Sequence, residues 1–175
     1  MKNLNDITVY KNFASDQEIA KLRQHAKNMF EQKILKPNPA GPFRHLLMLD
    51  KDHDGEYLTP FISAMFDRIA NVLEFKNSKI DPMLGIVASY IEPGGFIHKH
   101  KDKYTTPAEL GQTNFRFNLM VERGSSIEYN PIINNSVYEV KIGDAWSFNA
   151  SKYKHETKIL PGPEPRIVYQ FGFII

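Results

Sequence analysis

The chain has 175 residues, enough for one domain with a single core, and a chain of this size buries roughly 70% of its unfolded surface without staples. It contains no cysteine, which excludes a disulfide framework, a thiolate metal site, an iron–sulfur cluster and a cysteine nucleophile. The 22 basic and 20 acidic residues are interspersed and leave a net charge of +2, so there is no strong electrostatic case for nucleic acid or a membrane surface.

The opening segment, residues 1–13, has no apolar signal core and no small-residue cleavage site, and no stretch approaches the ~18 apolar residues of a membrane span. The expected compartment is the cytoplasm. Ser15-Asp16-Gln17-Glu18 forms a capping box, and Ile19, Leu22, His25, Ala26, Met29 and Phe30 follow at helical spacing, which predicts a helix over about 16–33. Three prolines within residues 37–42 make a loop, and a short strand over about 43–49 follows. Thr59-Pro60 opens a second helix with Phe61, Met65, Ile69, Val72 and Leu73 as its apolar stripe.

From about residue 80 the pattern turns to β. Strands are predicted at Leu84–Ile91, Phe96–Lys101, Phe115–Val121, Ile127–Tyr129, Val137–Val140, Ala145–Phe148, Glu156–Leu160 and Ile167–Ile174. They are short and evenly spaced between Gly, Pro, Asn and Asp clusters, and 12 Phe and 8 Tyr favour sheets and pockets. The expectation is a mostly β jelly roll with two N-terminal helices packed on one sheet and a pocket between the sheets. It forms a single domain over 1–175, with 1–78 as a helical support region and 79–175 as the jelly-roll core.

The chemistry concentrates in the β half. His98, His100 and Asp102 alternate, so on a strand they share a face, and His155 opens a later strand. Two neutral imidazoles and one carboxylate suit a ferrous ion: they occupy one face of an octahedron and leave the other open. His-x-Asp alone is a weak motif, equally compatible with a surface histidine and a loop carboxylate. Arg166, eleven residues after His155, strengthens it, because its planar fork can hold a carboxylate. It can also be an edge charge. Val168, Gln170 and Gly172 share its strand face, while Ile167, Tyr169, Phe171 and Phe173 take the other. On the strand 114–121, Phe115, Phe117, Leu119 and Val121 oppose Arg116, Asn118 and Met120; Asn118 either lines a pocket or faces solvent. Trp146, the single tryptophan, packs in the core or lines the pocket.

The run from Tyr90 through Glu92-Pro93-Gly94-Gly95 to His98-Lys99-His100-Lys101-Asp102 resembles the metal-strand signature of the prolyl-hydroxylase-like branch of the Fe(II)/2-oxoglutarate-dependent oxygenases. Gly143-Asp144-Ala145-Trp146-Ser147-Phe148 is similar to that family's Gly-Asp-Ala-x-x-Phe strand, and His155, Arg166 and the last apolar strand complete the order over residues 84–175. The resemblance implies a double-stranded β-helix, iron ligation by His100, Asp102 and His155, and a clamp from Arg166 on the 5-carboxylate of 2-oxoglutarate. It further implies a dioxygenase consuming 2-oxoglutarate and O2. Its substrate would be an amino-acid side chain in a peptide or protein, or a free amino acid or other small molecule. Tyr90 is either a cosubstrate contact or a packed core tyrosine. Gln170 would contact cosubstrate or a ligand water, and His98 would neighbour the site. His25 reads as a helix-packing residue, and His45 and His53 lack a ligand set. Residues 103–113 would form a lid beside the metal. The rival reading is a cupin-like metal-binding jelly roll without oxygenase activity, which would not need Arg166. A metal-free interaction domain is a second rival.

Overall fold

The computed structural model describes residues 6–74, 79–102 and 114–174. Its first helix, α1, spans Asp16–Glu31. Ser15 caps it: the Glu18 amide donates to Ser15 Oγ (3.3 Å) and the Ser15 amide to Glu18 Oε2 (2.9 Å). It ends two residues earlier than the periodicity predicts, and Lys33, just beyond, adopts a left-handed φ of 59°. The second helix, α2, spans Pro60–Leu73 with Thr59 as its cap and proline in the first turn.

The strands are β1 (Thr8–Tyr10), β2 (Lys36–Pro37), β3 (Arg44–Met48), β4 (Lys79–Ile80), β5 (Ile86–Ile91), β6 (Asn114–Glu122), β7 (Ile132–Ile133), β8 (Ser136–Val137), β9 (Ala145–Asn149), β10 (His155–Glu156) and β11 (Arg166–Ile174). An eight-stranded sheet runs β1-β9-β6-β11-β5-β3-β2, with β4 also on β11, and a small sheet runs β10-β7-β8. All pairings are antiparallel. The expected jelly roll is therefore present. Residues before 79 supply β1, β2 and β3 to the large sheet as well as the two helices.

The alternation in β6 and β11 decides which side each residue serves. Phe115, Phe117, Leu119, Tyr169, Phe171 and Phe173 join Ile19, Leu22, Ile62 and Ile69 in one core between sheet and helices. Burying each such side chain contributes about 2 kcal/mol. Met120, Trp146, Phe148 and Val168 lie on the other face, in a second cluster with Ile133 and Val140, between the two sheets.

Two predicted strands are not strands. Residues 127–129 form a 3-10 turn. Residues 96–101 form only a bridge at His100. The backbone bonds of that segment go to two neighbours, Ala40 and residues 155–160, and the Ile97 amide donates to the Thr157 hydroxyl (2.9 Å). A regular ladder cannot form on such partners. The predicted strands at 137–140 and 156–160 shrink to Ser136–Val137 and His155–Glu156.

Candidate metal centre and its cavity

His100 and His155 are held face to face by a reciprocal backbone bridge, His100 N–H to His155 O (3.1 Å) and His155 N–H to His100 O (2.8 Å). The Asp102 amide donates to Ala150 O (3.0 Å), which brings the carboxylate back toward both rings. One donor atom from each of the three residues lies within 4.8 Å of the others, and among the described residues no other such group occurs.

Each ring is oriented by the carbonyl two residues before it. His100 Nδ1 sits 2.7 Å from His98 O and His155 Nδ1 3.2 Å from Tyr153 O. Nδ1 therefore carries the proton, and the Nε2 lone pairs face inward. Both Nε2 atoms lie 3.6 Å from Asp102 Oδ1. The second carboxylate oxygen, Oδ2, accepts from Arg116 Nε (3.0 Å), and Arg116 Nη2 pairs with Asp81 (2.9 Å). Arg116 also donates to the Leu84 carbonyl, and Asp81 accepts from Asn114 Nδ2 (2.7 Å). One oxygen of Asp102 is thus fixed by the protein while the other is free for a metal.

The charges fit that purpose. Burial pushes the Asp102 carboxyl up, but the Arg116 guanidinium and the two imidazoles overcome it and hold the group below its ordinary range. Burial pushes His155 down to about 4, against the pull of Asp102, so it is neutral at pH 7. Two imidazole nitrogens and one carboxylate oxygen brought together in this way suit a divalent first-row ion such as Fe(II). The His100 side chain is 34% exposed against 7% for Asp102, so the site opens to solvent on the His100 side.

A cavity of about 260 Å³ adjoins the three residues and reaches Asn118, Trp146, Arg166 and Gln170. Register explains the order: Arg116 lies opposite Gly172, Asn118 opposite Gln170 and Trp146, and Arg166 opposite Ile91 at the far end. Arg166 is 3% exposed, donates Nε to Tyr129 O (2.9 Å), and places its guanidinium 5.7 Å from the Trp146 ring. No carboxylate pairs with it among the described residues. Burial, with the charges of Arg44 and Arg123, lowers it to about 9, so it stays a cation at neutral pH.

Several sequence expectations land elsewhere. Tyr90 does not line the cavity: it points to the helix side and stacks on Phe30 at 4.1 Å, because its neighbours Ser89 and Ile91 take the inner face. The His98 side chain is exposed, and its contribution is the carbonyl that anchors His100. Asn118 is buried against Trp146 O rather than solvent-facing, and Trp146 serves both core and cavity. His25 bonds the Tyr169 hydroxyl (2.7 Å) and His45 bonds Glu92 (2.8 Å), both away from the centre. The expected lid, 103–113, lies outside the described residues. Arg116, Asp81 and Arg44 are the participants that sequence reasoning missed; alternation alone placed Arg116 beside Asn118 on the polar face.

No protein-family profile and no curated protein matches the chain. Solved structures do. A prolyl-4-hydroxylase from Pseudomonas putida is 15% identical, with a TM-score of 0.70, covering 97% of this chain and 92% of the other. HygX from Streptomyces hygroscopicus, solved with nickel and 2-oxoglutarate bound, is 11% identical at a TM-score of 0.70, covering 97% and 83%. A Trichoplax adhaerens prolyl hydroxylase, in complex with a hypoxia inducible factor peptide fragment, is 11% identical at 0.72, covering 98% and 84%. The chain therefore has the fold of these oxygenases over nearly its whole length.

Proposed function

We propose that this chain is an Fe(II)- and 2-oxoglutarate-dependent dioxygenase that hydroxylates an amino-acid side chain, in a peptide, in a protein or as the free amino acid. The observation that carries the reading is the joint presence, in one cavity, of a His-Asp-His triad and a buried guanidinium that has no carboxylate partner among the described residues. His100 Nε2, His155 Nε2 and Asp102 Oδ1 would hold the metal, leaving the opposite face open. Arg166 would receive the distal carboxylate of 2-oxoglutarate, with Gln170 and Asn118 flanking its chain. The bound metal and cosubstrate supply the oxidising chemistry. The protein orients Asp102 through Arg116, keeps the His155 imidazole neutral, and excludes water with Trp146, Phe148 and Ile133 around the cavity. The solved relatives support the same reading, since the HygX structure pairs this fold with nickel and 2-oxoglutarate.

The test is anaerobic difference absorbance of the protein with Fe(II) and 2-oxoglutarate. A weak visible band in the wild type, lost in Asp102→Ala and weakened in Arg166→Ala, is the expected result. Iron binding with no band, and no succinate formed in air, would move the assignment to a metal-binding jelly roll without oxygenase activity.

A further inference from the structure

A second buried guanidinium shares the cavity. Arg44, on β3, is 7% exposed and lines the same space as the metal triad. It and Arg166 are both opposite Ile91, one from each side of β5, so the two side chains enter from the same face. Among the described residues its hydrogen bonds go to neutral groups, Nη1 to Asn38 Oδ1 (3.0 Å) and Nε to Ser89 Oγ (3.5 Å), and Asp102, which already pairs with Arg116, acts on it through space alone.

Among the described residues, the carboxylates that line or flank the cavity are already committed. Asp102 and Asp81 both grip Arg116, and Glu156 faces Lys99 at 3.6 Å. With a divalent ion and the two carboxylates of 2-oxoglutarate in place, those charges cancel one another. Asp102 and Asp81 then balance Arg116 and Arg166. Among the described lining residues two cations are then left over, Lys101, which is exposed to solvent, and Arg44, which is buried. Burial pulls Arg44 down to about 10, so it keeps its charge at neutral pH, and that charge works against Arg166. A neutral side chain could brace Asn38 and Ser89 without this cost, so bracing does not account for an arginine.

We propose that Arg44 is the second anion-binding position of the cavity and that it receives a free carboxylate of the substrate. This rests on the oxygenase reading and narrows it. The substrate is a compound with a carboxylate near the carbon that is oxidised, such as a free amino acid or a peptide C-terminus, rather than an internal residue of a protein. Arg44 is then a specificity-determining residue, separate from the clamp on the cosubstrate.

The first arm measures 2-oxoglutarate binding to the Ni(II)-loaded protein by calorimetry. Arg166→Gln should weaken it at least about tenfold, the loss expected for a charged hydrogen-bonded pair, while Arg44→Gln changes it by less than about threefold. The second arm titrates the standard free L-amino acids and their C-terminal amides into Ni(II)- and 2-oxoglutarate-saturated protein, read by thermal denaturation. The same panel is read with Fe(II) by ligand-stimulated succinate release. At least one free acid should bind at least about tenfold more tightly than its amide, and Arg44→Gln should erase that preference. Arg44→Lys, which keeps the charge, should restore part of it and controls for folding. If Arg44→Gln weakens 2-oxoglutarate as much as Arg166→Gln does, both guanidiniums serve the cosubstrate and the inference fails. It fails equally if no free acid binds, or if acids and amides bind alike. Absence of 2-oxoglutarate binding in the wild type removes the oxygenase reading, and this one with it.

Discussion

Gly172 sits on β11 opposite Arg116, and its missing side chain is what lets that arginine cross the strand. A Cβ built there would collide with Arg116 Nη1 and the Leu84 carbonyl oxygen and would lie 3.0 Å from Asp81 Cβ. The backbone oxygen cannot yield, so in Gly172→Ala the guanidinium must move. Overpacking of this kind costs about 1–3 kcal/mol. Separating Arg116 from Asp81 and Asp102, which are 0% and 7% exposed, adds up to about 3–5 kcal/mol if the pairing is fully lost. Domains of this type have about 5–15 kcal/mol in hand, so a combined loss approaching about 8 kcal/mol takes much of the margin, and metal affinity is read at temperatures where the variant is shown to be folded. Asp102 would lose the partner that orients Oδ2, and loss of such a partner typically lowers metal affinity 10–100-fold. Competition between the protein and a fluorescent chelator for Co(II) measures this, with urea unfolding alongside. Val168→Ala is the control: it trims the inter-sheet core on the same strand, so it should lower stability and leave Co(II) affinity unchanged. Folded Gly172→Ala that binds Co(II) with wild-type affinity would refute the claim that Arg116 orients Asp102.

Other consequences are as direct. Ser15→Ala removes both hydrogen bonds of the Ser15 hydroxyl, from the Glu18 amide and to Glu18 Oε2, and should cost about 1 kcal/mol, read as a Tm lower by about 2–4 °C with no change in metal affinity. His155 is depressed to about 4 in the folded state, from an ordinary 6.5, so the unfolded chain binds the extra proton first. The stability gained from its neutral burial is fully present above pH 6.5 and is lost as pH falls from there through about 4. It amounts to roughly 3 kcal/mol in the apo protein. Urea midpoints between pH 7.5 and 4 should fall steeply in the wild type and less steeply in His155→Gln. Asp102, depressed by Arg116, adds to the loss at the acid end, because its stabilisation disappears as pH drops through its folded-state value. Tyr169→Phe removes the hydroxyl that meets His25 Nδ1 and Leu22 O, and about 1 kcal/mol of stability should go with it in urea unfolding.

That His100, Asp102 and His155 come together was legible in residue type and order. The cavity was legible only in part. Strand alternation put Arg166, Gln170, Asn118 and Arg116 on one face, and the structure has them there. The same rule would have removed Tyr90: it pairs with Ile167, an outward residue, so it too points outward to the helices. Family resemblance suggested a cosubstrate contact where parity forbids one. Arg116, Asp81 and Arg44 escaped because their roles depend on partners far away in sequence. Asp81 and Arg116 meet across 35 positions, and Arg44 reaches the cavity only because β3 adds to the edge of β5. The segment 96–101 misled for the opposite reason. His98, His100 and Asp102 recur at every second position, as on a strand, but Gly94 and Gly95 start the segment as a turn and Thr157 intrudes with its hydroxyl, so the ladder never forms. His98 consequently turns outward instead of competing with His100.

That no described carboxylate pairs with Arg166 follows from a register fault. On β6 the inner positions are Arg116, Asn118 and Met120, and unbroken alternation would make Glu122 the next, alongside Arg166. A carboxylate there would neutralise the guanidinium. The register between β6 and β11 instead slips at Ile167/Val168, so that Met120 faces Val168 and Glu122 faces Ile167. The extra residue is Val121, which stays in the core under the helices. Glu122 therefore emerges on the helix side, where it pairs with Lys27 (2.9 Å) and Arg23 (3.4 Å) of α1. One bulged residue thus turns a neutralising acid into a tie between sheet and helix and leaves a buried cation facing the cavity. Sheet bulges commonly re-aim side chains near active sites, and here the re-aimed side chain is the one that would have filled the site.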